Sequence, residues 1–546
     1  MNSISHRNLI VRFFFSLISA VFVFSVFFAF SGVDKSKNYQ ACYSLNSGDK
    51  KVYDKNFVES ATCLDNMQGD MGGRWYASER KYGNVSVFTK FETTKPIKKT
   101  IFLLVAFFVF MVIFSRENKL RKLADSVFLG FKEIKIIEII LFSVVLVFLY
   151  VKTGIIDLGS LGVVMEGVGK GVNFYYLSFL QGSSGSLPIF PYNPLSYVLI
   201  SALSEIQSLL SAVGIYSKPY SLLQVVIFVA YAWLCFELMS AFKAGGFFFK
   251  SKRMIFYFIL LNPLGIYYTV FLGQIDVISI AFFVAGLRRV SSGRSIFYGF
   301  ILIYFGLIFS KPQHLLLVIP LIFCVACIFE QETRRRCFIG VIVLLASIFL
   351  TYFIYRYSDG FYASLSVNPQ AARLSWSIWW TMLSDAIVIN RPVGMLAIVS
   401  MLLVYLLPNN LRMGDDFFNH VCLGVGVMFA TFQASFAHTF GLAIFLIPAI
   451  MVVIVSAKNL LQIFMFSIFS LGVVIAWGTG LVGDASQTIG LSVFSHGGFV
   501  EKTYAHIKYD ALLNSIEYSA YIGFALVFLM HLFFAKVRNA SLQSKE

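Results

Sequence analysis

The chain is a succession of long apolar runs joined by short polar links, many of them basic. The runs fall near residues 10–32, 100–115, 136–153, 221–242, 254–271, 277–290, 296–310, 314–329, 337–355, 393–407, 417–434, 440–456, 460–477 and 517–535. They are continuous and do not alternate in period two, which excludes a β-barrel. Their lengths approach the roughly 20 residues that carry a helix across a bilayer. The pattern therefore predicts an all-α polytopic membrane protein with about 14 transmembrane helices, outer-face loops and interfacial helices.

Basic links fix the expected orientation, because cytoplasmic loops gather Lys and Arg. The link RENKLRKLADSVFLGFKEIK is cytoplasmic on this rule, as are the ends carrying Arg288, Arg289 and Arg294, and then Arg334, Arg335 and Arg336. The stretch PLSYVLISALSEIQSLLSAVG is read as lying along the membrane surface. Glu205 and Gln207 break its apolar run, and a spanning reading would put KAGGFFFKSKR outside, against the charge rule. Both termini are then cytoplasmic, and the first run is a retained signal anchor, since no Ala-x-Ala cleavage chemistry follows it. Three regions are expected. Residues 1–115 form a hairpin with a large outer loop at 33–98. Residues 136–460 form the core. Residues 461–546 add a final pair of spans with an outer loop at 478–516.

Composition agrees with the membrane reading. Hydrophobic residues make up 58% and charged residues 13%, so a soluble domain, a disordered chain and an ordinary nucleic-acid-binding protein are all excluded. The net charge of +16 is a topology signal here and does not require an anionic partner. The bilayer itself is the one partner that composition demands. Of the seven cysteines, five lie in or beside apolar runs, where a thiol acts as a small hydrophobe. Cys324 and Cys327 form a CxxC, but without a second ligand pair or the flanks of a redox loop. Cys42 and Cys63 share the polar loop placed outside and are expected to form a disulfide.

The remaining unusual polar residues collect on the outer side of this topology. They are Asp157 and Glu166, the Pro191–Leu195 turn, the Gly273–Asp276 turn, and Lys311 with Gln313 and His314. The loop with Arg356, Arg373, Trp376, Trp379 and Trp380 follows, and then His438 and the loop holding His496, Glu501, His506, Lys508 and Asp510. A transporter places ionisable groups near the midplane, often on broken helices in two repeated halves. No such repeat is visible, and a one-sided array points to chemistry at the outer interface. No DxD motif, P-loop or His-rich metal site is present, and no metal or cofactor is expected.

Three signatures sharpen the picture: IIDLGSLGVVMEGVGKGVNFYY with FPYNPLSYVL, LLNPLGIYYTVFLGQIDVISI, and IFSKPQHLLLVIPL with FAHTFGLAIFLIPA. Their order and shared side resemble the GT-C superfamily of integral-membrane glycosyltransferases, over about residues 136–460. The likeness is to the polyprenol-phosphate-mannosyltransferase-like and PIG-M-like branches. The chain departs from that pattern in reading PYNPL where YPPL is commoner, in lacking an Arg-Tyr in its His loop, and in carrying residues 1–115 ahead of the core. The resemblance implies inverting transfer of a hexose from a polyprenyl-phosphate-linked sugar to a glycan, glycolipid or protein acceptor. It also implies a multi-pass protein of a bacterial inner membrane, working in polysaccharide biosynthesis on the face outside the cytoplasm.

The same resemblance assigns roles to residues. Asp157 stands where the family has its catalytic carboxylate, with Glu166 as substitute; a helix N-cap or a solvated loop is the alternative use of Asp157. Asp276 and Gln274 of GQID are expected to bind substrate, or Asp276 to cap the following helix. Lys311 is expected either to meet the donor phosphate or to snorkel to headgroups. Gln313, Arg356, Arg373 and His438 are further donor-binding candidates. Tyr192, which precedes Asn193 and Pro194 in a turn, is also a donor-binding candidate. The competing functions are a flippase or transporter of lipid-linked glycans, which needs charges through the full depth of the bundle, and a surface-polysaccharide polymerase, whose catalytic loops are basic.

Overall fold

The computed structural model describes residues 39–45, 75–82, 85–92, 192–212, 221–243, 249, 251–271, 273–293, 295–309, 311–355, 392–408, 410–435, 442–457, 464, 466–468, 470 and 510–543. The chain divides into two compact units. One is made of residues 1–134, 159–223 and 352–372, and the other of residues 135–158, 224–351 and 373–546.

The first unit holds a feature that the run pattern does not anticipate. Within the loop at 33–98, strands β1 (Tyr39–Leu45), β2 (Trp75–Tyr82) and β3 (Val85–Glu92) form an antiparallel sheet in the order β1-β3-β2. The all-α expectation thus holds for the apolar runs among the described residues but not for this loop. The register pairs Tyr82 with Val85, so β2 and β3 are joined by Gly83-Asn84 alone. Gly-Asn is a two-residue hairpin signal of the kind that favours tight primed turns. Cys42 lies on β1 opposite Phe88 of β3, whereas Cys63 lies outside the described residues. We expect the two to be bonded, closing a loop of 21 residues whose crosslink stabilises by about 3 kcal/mol in the chain-entropy model. Thiol labelling of the non-reduced protein checks this, and full labelling of both cysteines before reduction rules the bond out.

The same unit contains α1 (Pro194–Ala212). Pro194 opens it, a position where a missing N–H costs nothing. Asn193 precedes it, wholly buried, and its Oδ1 accepts a 2.6 Å hydrogen bond from Tyr352 Oη.

The second unit is built from α2 (Ser221–Ala241), α3 (Lys252–Leu260), the one-turn α4 (Pro263–Ile266), α5 (Asp276–Ser291), α6 (Ile296–Ile308), α7 (Val318–Ala326), α8 (Gln331–Tyr355), α9 (Pro392–Leu406), α10 (Asp415–Ser435), α11 (Ile447–Val455) and α12 (Asp510–Gln543). Both α2 and α8 run across the unit boundary at one end. Four of the described helices are long and apolar enough to cross a membrane: Leu222–Ala241, Gln331–Phe353, Asp415–Ala434 and Ser519–Val537. The protein is a membrane protein. Of the Asp415–Ala434 span 89% is buried, against 22% for Gln331–Phe353, so α10 is central while α8 turns most of its apolar side chains outward. Phe338, Ile339, Ile342, Val343, Phe349 and Leu350 on α8 are exposed, a surface suited to lipid tails and not to water.

The other apolar helices are short and interrupted. The run expected to span 254–271 breaks at Leu261-Asn262-Pro263 and then winds as a π-helix over Tyr267–Phe271. Such a break is tolerated inside a membrane bundle only when its backbone groups find other partners. Here they do. Asn262 Oδ1 accepts from the N–H groups of Leu264 and Gly265, at 3.0 and 3.4 Å. Tyr231 Oη donates to the Ile259 carbonyl at 2.6 Å, and its ring occupies the space where a Cβ on residue 265 would stand. Two further helices begin as 3-10 turns, Pro312–Leu317 ahead of α7 and Leu442–Leu446 ahead of α11.

The hairpin α5–α6 positions the site. Its helices touch through small residues, as membrane helices do when dispersion and backbone proximity hold them together. A Cβ on Gly286 would lie 2.5 Å from the Gly299 carbonyl, and one on Gly306 would lie 2.8 Å from the Ser279 carbonyl. At 1.5 Å per residue α5 rises ~24 Å and α6 returns ~20 Å. The start of α5 and the residues just after α6 therefore meet at one end of the hairpin.

Candidate functional site

That end holds Asp276 from GQID and Lys311 and His314 from KPQH. Gly273 adopts φ +61°, a left-handed conformation that glycine reaches without strain. The Gln274 N–H bonds back to the Tyr268 carbonyl at 2.8 Å, turning the chain from the π-helix into α5. Asp276 is the first residue of α5, but the helix is not capped by it: the N-cap is Ile275, which makes no side-chain cap bond. The carboxylate reaches across the bundle instead. Its Oδ2 accepts from Lys311 Nζ at 3.1 Å, and its Oδ1 lies 2.9 Å from His314 Nε2, off the axis of that N–H.

All three groups are enclosed. Asp276 and His314 are 0% exposed and Lys311 is 6% exposed. Lys311 therefore neither snorkels nor faces solvent, because its ammonium ends on a carboxylate 35 residues upstream. Gln274 and Gln313, next in sequence to the cluster, are buried as well. The His314 ring packs 4.7 Å from Phe445, which stacks at 4.4 Å on Phe429, so the 3-10 turn before α11 forms an aromatic wall. A buried charge is retained where it is paired, and this one is paired from two directions at the junction of interrupted helices.

A second ion cluster marks the opposite end of the hairpin. Glu237 on α2 is 1% exposed and receives Arg288 Nε at 2.8 Å, two bonds from Arg289 at 3.2 and 3.3 Å, and the Trp233 indole N–H at 3.0 Å. Nearby, at the ends of α2 and α10, Lys243 meets Asp415 at 2.7 Å on the surface. The hydrogen bond that Lys243 donates to Asp415 raises its pKa above the ordinary value. This exposed pair contributes little. Glu237 was visible in the sequence as a lone carboxylate inside an apolar run, which by itself implies a cationic partner.

Among the residues implied by the resemblance, Asp276 and Lys311 meet, and Gln274 and Gln313 flank them. Tyr192 is buried in the other unit. Asp157, Glu166, Arg356, Arg373, His438 and Cys63 lie outside the described residues. His314, the third member of the cluster, carried no role in the sequence beyond its place on the outer side. Cys235, Cys324, Cys327, Cys337 and Cys422 are free thiols. The chain matches no protein-family model, no curated protein and no solved structure.

Proposed function

We propose that the protein is a membrane glycosyltransferase that moves a hexose from a polyprenyl-phosphate-linked sugar to a glycan, glycolipid or protein acceptor at the outer face of a bacterial inner membrane. One observation carries the reading. Two of the three signatures converge, through GQID and KPQH, on a buried Asp276–Lys311–His314 cluster within an apolar bundle. In such a transfer the acceptor oxygen bonds to the anomeric carbon as the bond from that carbon to the phosphate oxygen breaks. The electron pair leaves on the polyprenyl phosphate, and the hydroxyl proton passes to a base. Developing charge on the phosphate calls for a preorganised cation. Lys311 is the cation that this reading assigns to the phosphate. Asp157, with Glu166 in reserve, is the base in this proposal.

Profiling of lipids and glycans in a deletion strain tests the reading. An accumulated polyprenyl-phosphate sugar with an unmodified acceptor is the expected result, and an unchanged profile sinks it. A second reading, a flippase or transporter of lipid-linked glycans, is favoured by the interrupted helices beside a buried ion cluster, an arrangement transporters use. Reconstituted vesicles separate the two: a transporter moves the intact lipid-linked glycan between leaflets without changing it, and a transferase shortens the donor.

Sidedness is a separate expectation. Ser292 is exposed in the turn between α5 and α6, beside Arg289. A single cysteine at this position should react with an impermeant thiol reagent only after the cell is permeabilised. Labelling in intact cells would place the Arg end outside and remove the outer-face argument for Asp276.

A further inference from the structure

We infer that the protein binds an anionic glycerophospholipid at the start of α3, with the lipid phosphate on Lys252 and Arg253 and one acyl chain in the apolar cavity beside that helix. The inference does not depend on the transferase reading, because the site stands away from the Asp276 cluster.

The charges come first. Lys252 and Arg253 open α3, and its first turn holds no acidic residue. Two cations there oppose the helix dipole, whose positive end is the N-terminus. The arrangement in α5 is the reverse, with Asp276 in the first turn and Arg288 and Arg289 in the last. Lys252 is exposed and Arg253 half-buried, and neither forms an ion pair among the described residues. Dipole and side chains together make the first turn of α3 a place for an anion.

The neighbouring surface says what the anion carries. A cavity of about 460 Å³ is lined by Met254, Phe258 and Leu261 of α3, Ile450 and Ile454 of α11, and Phe466. Ligand pockets run from about 300 to 1,000 Å³. The cavity reaches Asn262 and Pro263 at the break in the apolar run. Met254 is 40% and Leu261 64% exposed, so it is entered from the outside of the bundle, where a membrane protein meets hydrocarbon. Arg253 stands one turn before Tyr257, another lining residue, and so on the cavity side of α3. Ser470 also lines the cavity. It is 1% exposed, and its Oγ has no hydrogen-bond partner among the described residues. A buried hydroxyl left in that state is costly, and the ester carbonyl of a lipid is an acceptor for it. A phosphate, an ester and a hydrocarbon chain occur together in a glycerophospholipid.

Position selects the leaflet. The end of α2 carries Glu237, which binds Arg288 and Arg289, and α3 begins after the short link that follows. In the opposite sense, α11 leaves the Phe445 wall beside His314 and runs toward that same end. This is the end that its basic links place in the cytoplasm. Anionic lipids are held on that side by basic pockets between helices.

The test uses full-length protein purified in detergent and freed of lipid, with its melting temperature followed as dioleoyl phosphatidylglycerol is added. A ligand of the native state raises that temperature with concentration. Phosphatidylglycerol should do so, while dioleoyl phosphatidylcholine and deacylated glycerophosphoglycerol should not. Replacing Lys252→Gln and Arg253→Gln together should leave melting without lipid unchanged, since both side chains reach solvent, and should weaken the response about 10- to 30-fold in lipid concentration. Ser470→Leu puts a larger apolar group on the cavity wall and removes the hydroxyl, and should weaken it without touching the cations. If either variant does not fold, the other carries the test. An equal response to phosphatidylcholine or to the deacylated head group overturns the inference, as does an undiminished response in either folded variant. Stabilisation by polyprenyl phosphate with none by phosphatidylglycerol overturns it too, and would assign the cavity to a different lipid.

Discussion

Asp276→Ala is expected to lower the stability of the detergent-solubilised protein by about 3–5 kcal/mol, because it strands a buried cation. Lys311 is almost wholly enclosed, and its ammonium is tied to the Asp276 carboxylate. Asp276→Asn keeps the shape but removes the same charge, so its loss should be of similar size. Lys311→Ala should cost less, since His314 is in contact with the remaining carboxylate and can take up a proton to balance it. Removing both ends of the pair, as Asp276→Ala with Lys311→Ala, should recover much of the loss. The cycle should show an interaction energy of about 0.5–3 kcal/mol between the positions. Thermal unfolding in one detergent across the four proteins gives the comparison. Single variants that melt with the wild type would mean that the pair does not form in the folded protein.

How much of this was legible from residues alone differs by element. The runs at 221–242 and 417–434 are uninterrupted, and α2 and α10 follow them to within two residues. The run at 254–271 is equally apolar, yet it breaks. Its signals were local: Pro263 at a helix start, Asn262 placed to cap it, and Gly265 small enough to admit Tyr231. Hydropathy averages over such residues and misses them. The hairpin of β2 and β3 had its Gly83-Asn84 signal in plain sight, inside a segment otherwise read only as a polar loop. The π-helix that delivers Gln274 and Asp276 left no readable sign.

Site legibility had a different limit. GQID and KPQH stood out as polar residues beside apolar runs, and the resemblance supplied the choice of Asp276, Gln274, Lys311 and Gln313. Their pairing did. It depends on α5 and α6 having nearly matched lengths and on glycines that let the two backbones approach. A lysine that looks solvent-seeking in sequence thus finds an anion 35 residues earlier, and a histidine one turn further on joins them. The same hairpin carries Arg288 and Arg289 at its other end, so α5 has a carboxylate in its first turn and two guanidinium groups in its last. Each sign suits the helix dipole at that end. The orientation of the hairpin and the placing of its charges are therefore one property of the sequence, read twice.

Asp157→Asn is expected to slow hexose transfer about 10²–10⁴-fold, the usual loss when a general base is removed. The replacement keeps the side-chain shape but takes away the proton acceptor, so donor KM should change little while kcat falls. Asp157→Glu should keep a small activity, since a carboxylate remains but is displaced by one methylene. Glu166→Gln is the necessary companion. The two positions are nine residues apart, and the intervening sequence is rich in glycine, so either carboxylate can serve one cleft if the segment bends. Asp276 does not compete for the role, because both of its oxygens already face cations or a ring N–H. Each variant must first be present in the membrane at the wild-type level, as a folding defect mimics catalytic loss. Full transfer by Asp157→Asn together with a dead Glu166→Gln moves the base to Glu166. Full transfer by both variants removes both carboxylates from the role and places the base elsewhere in the chain.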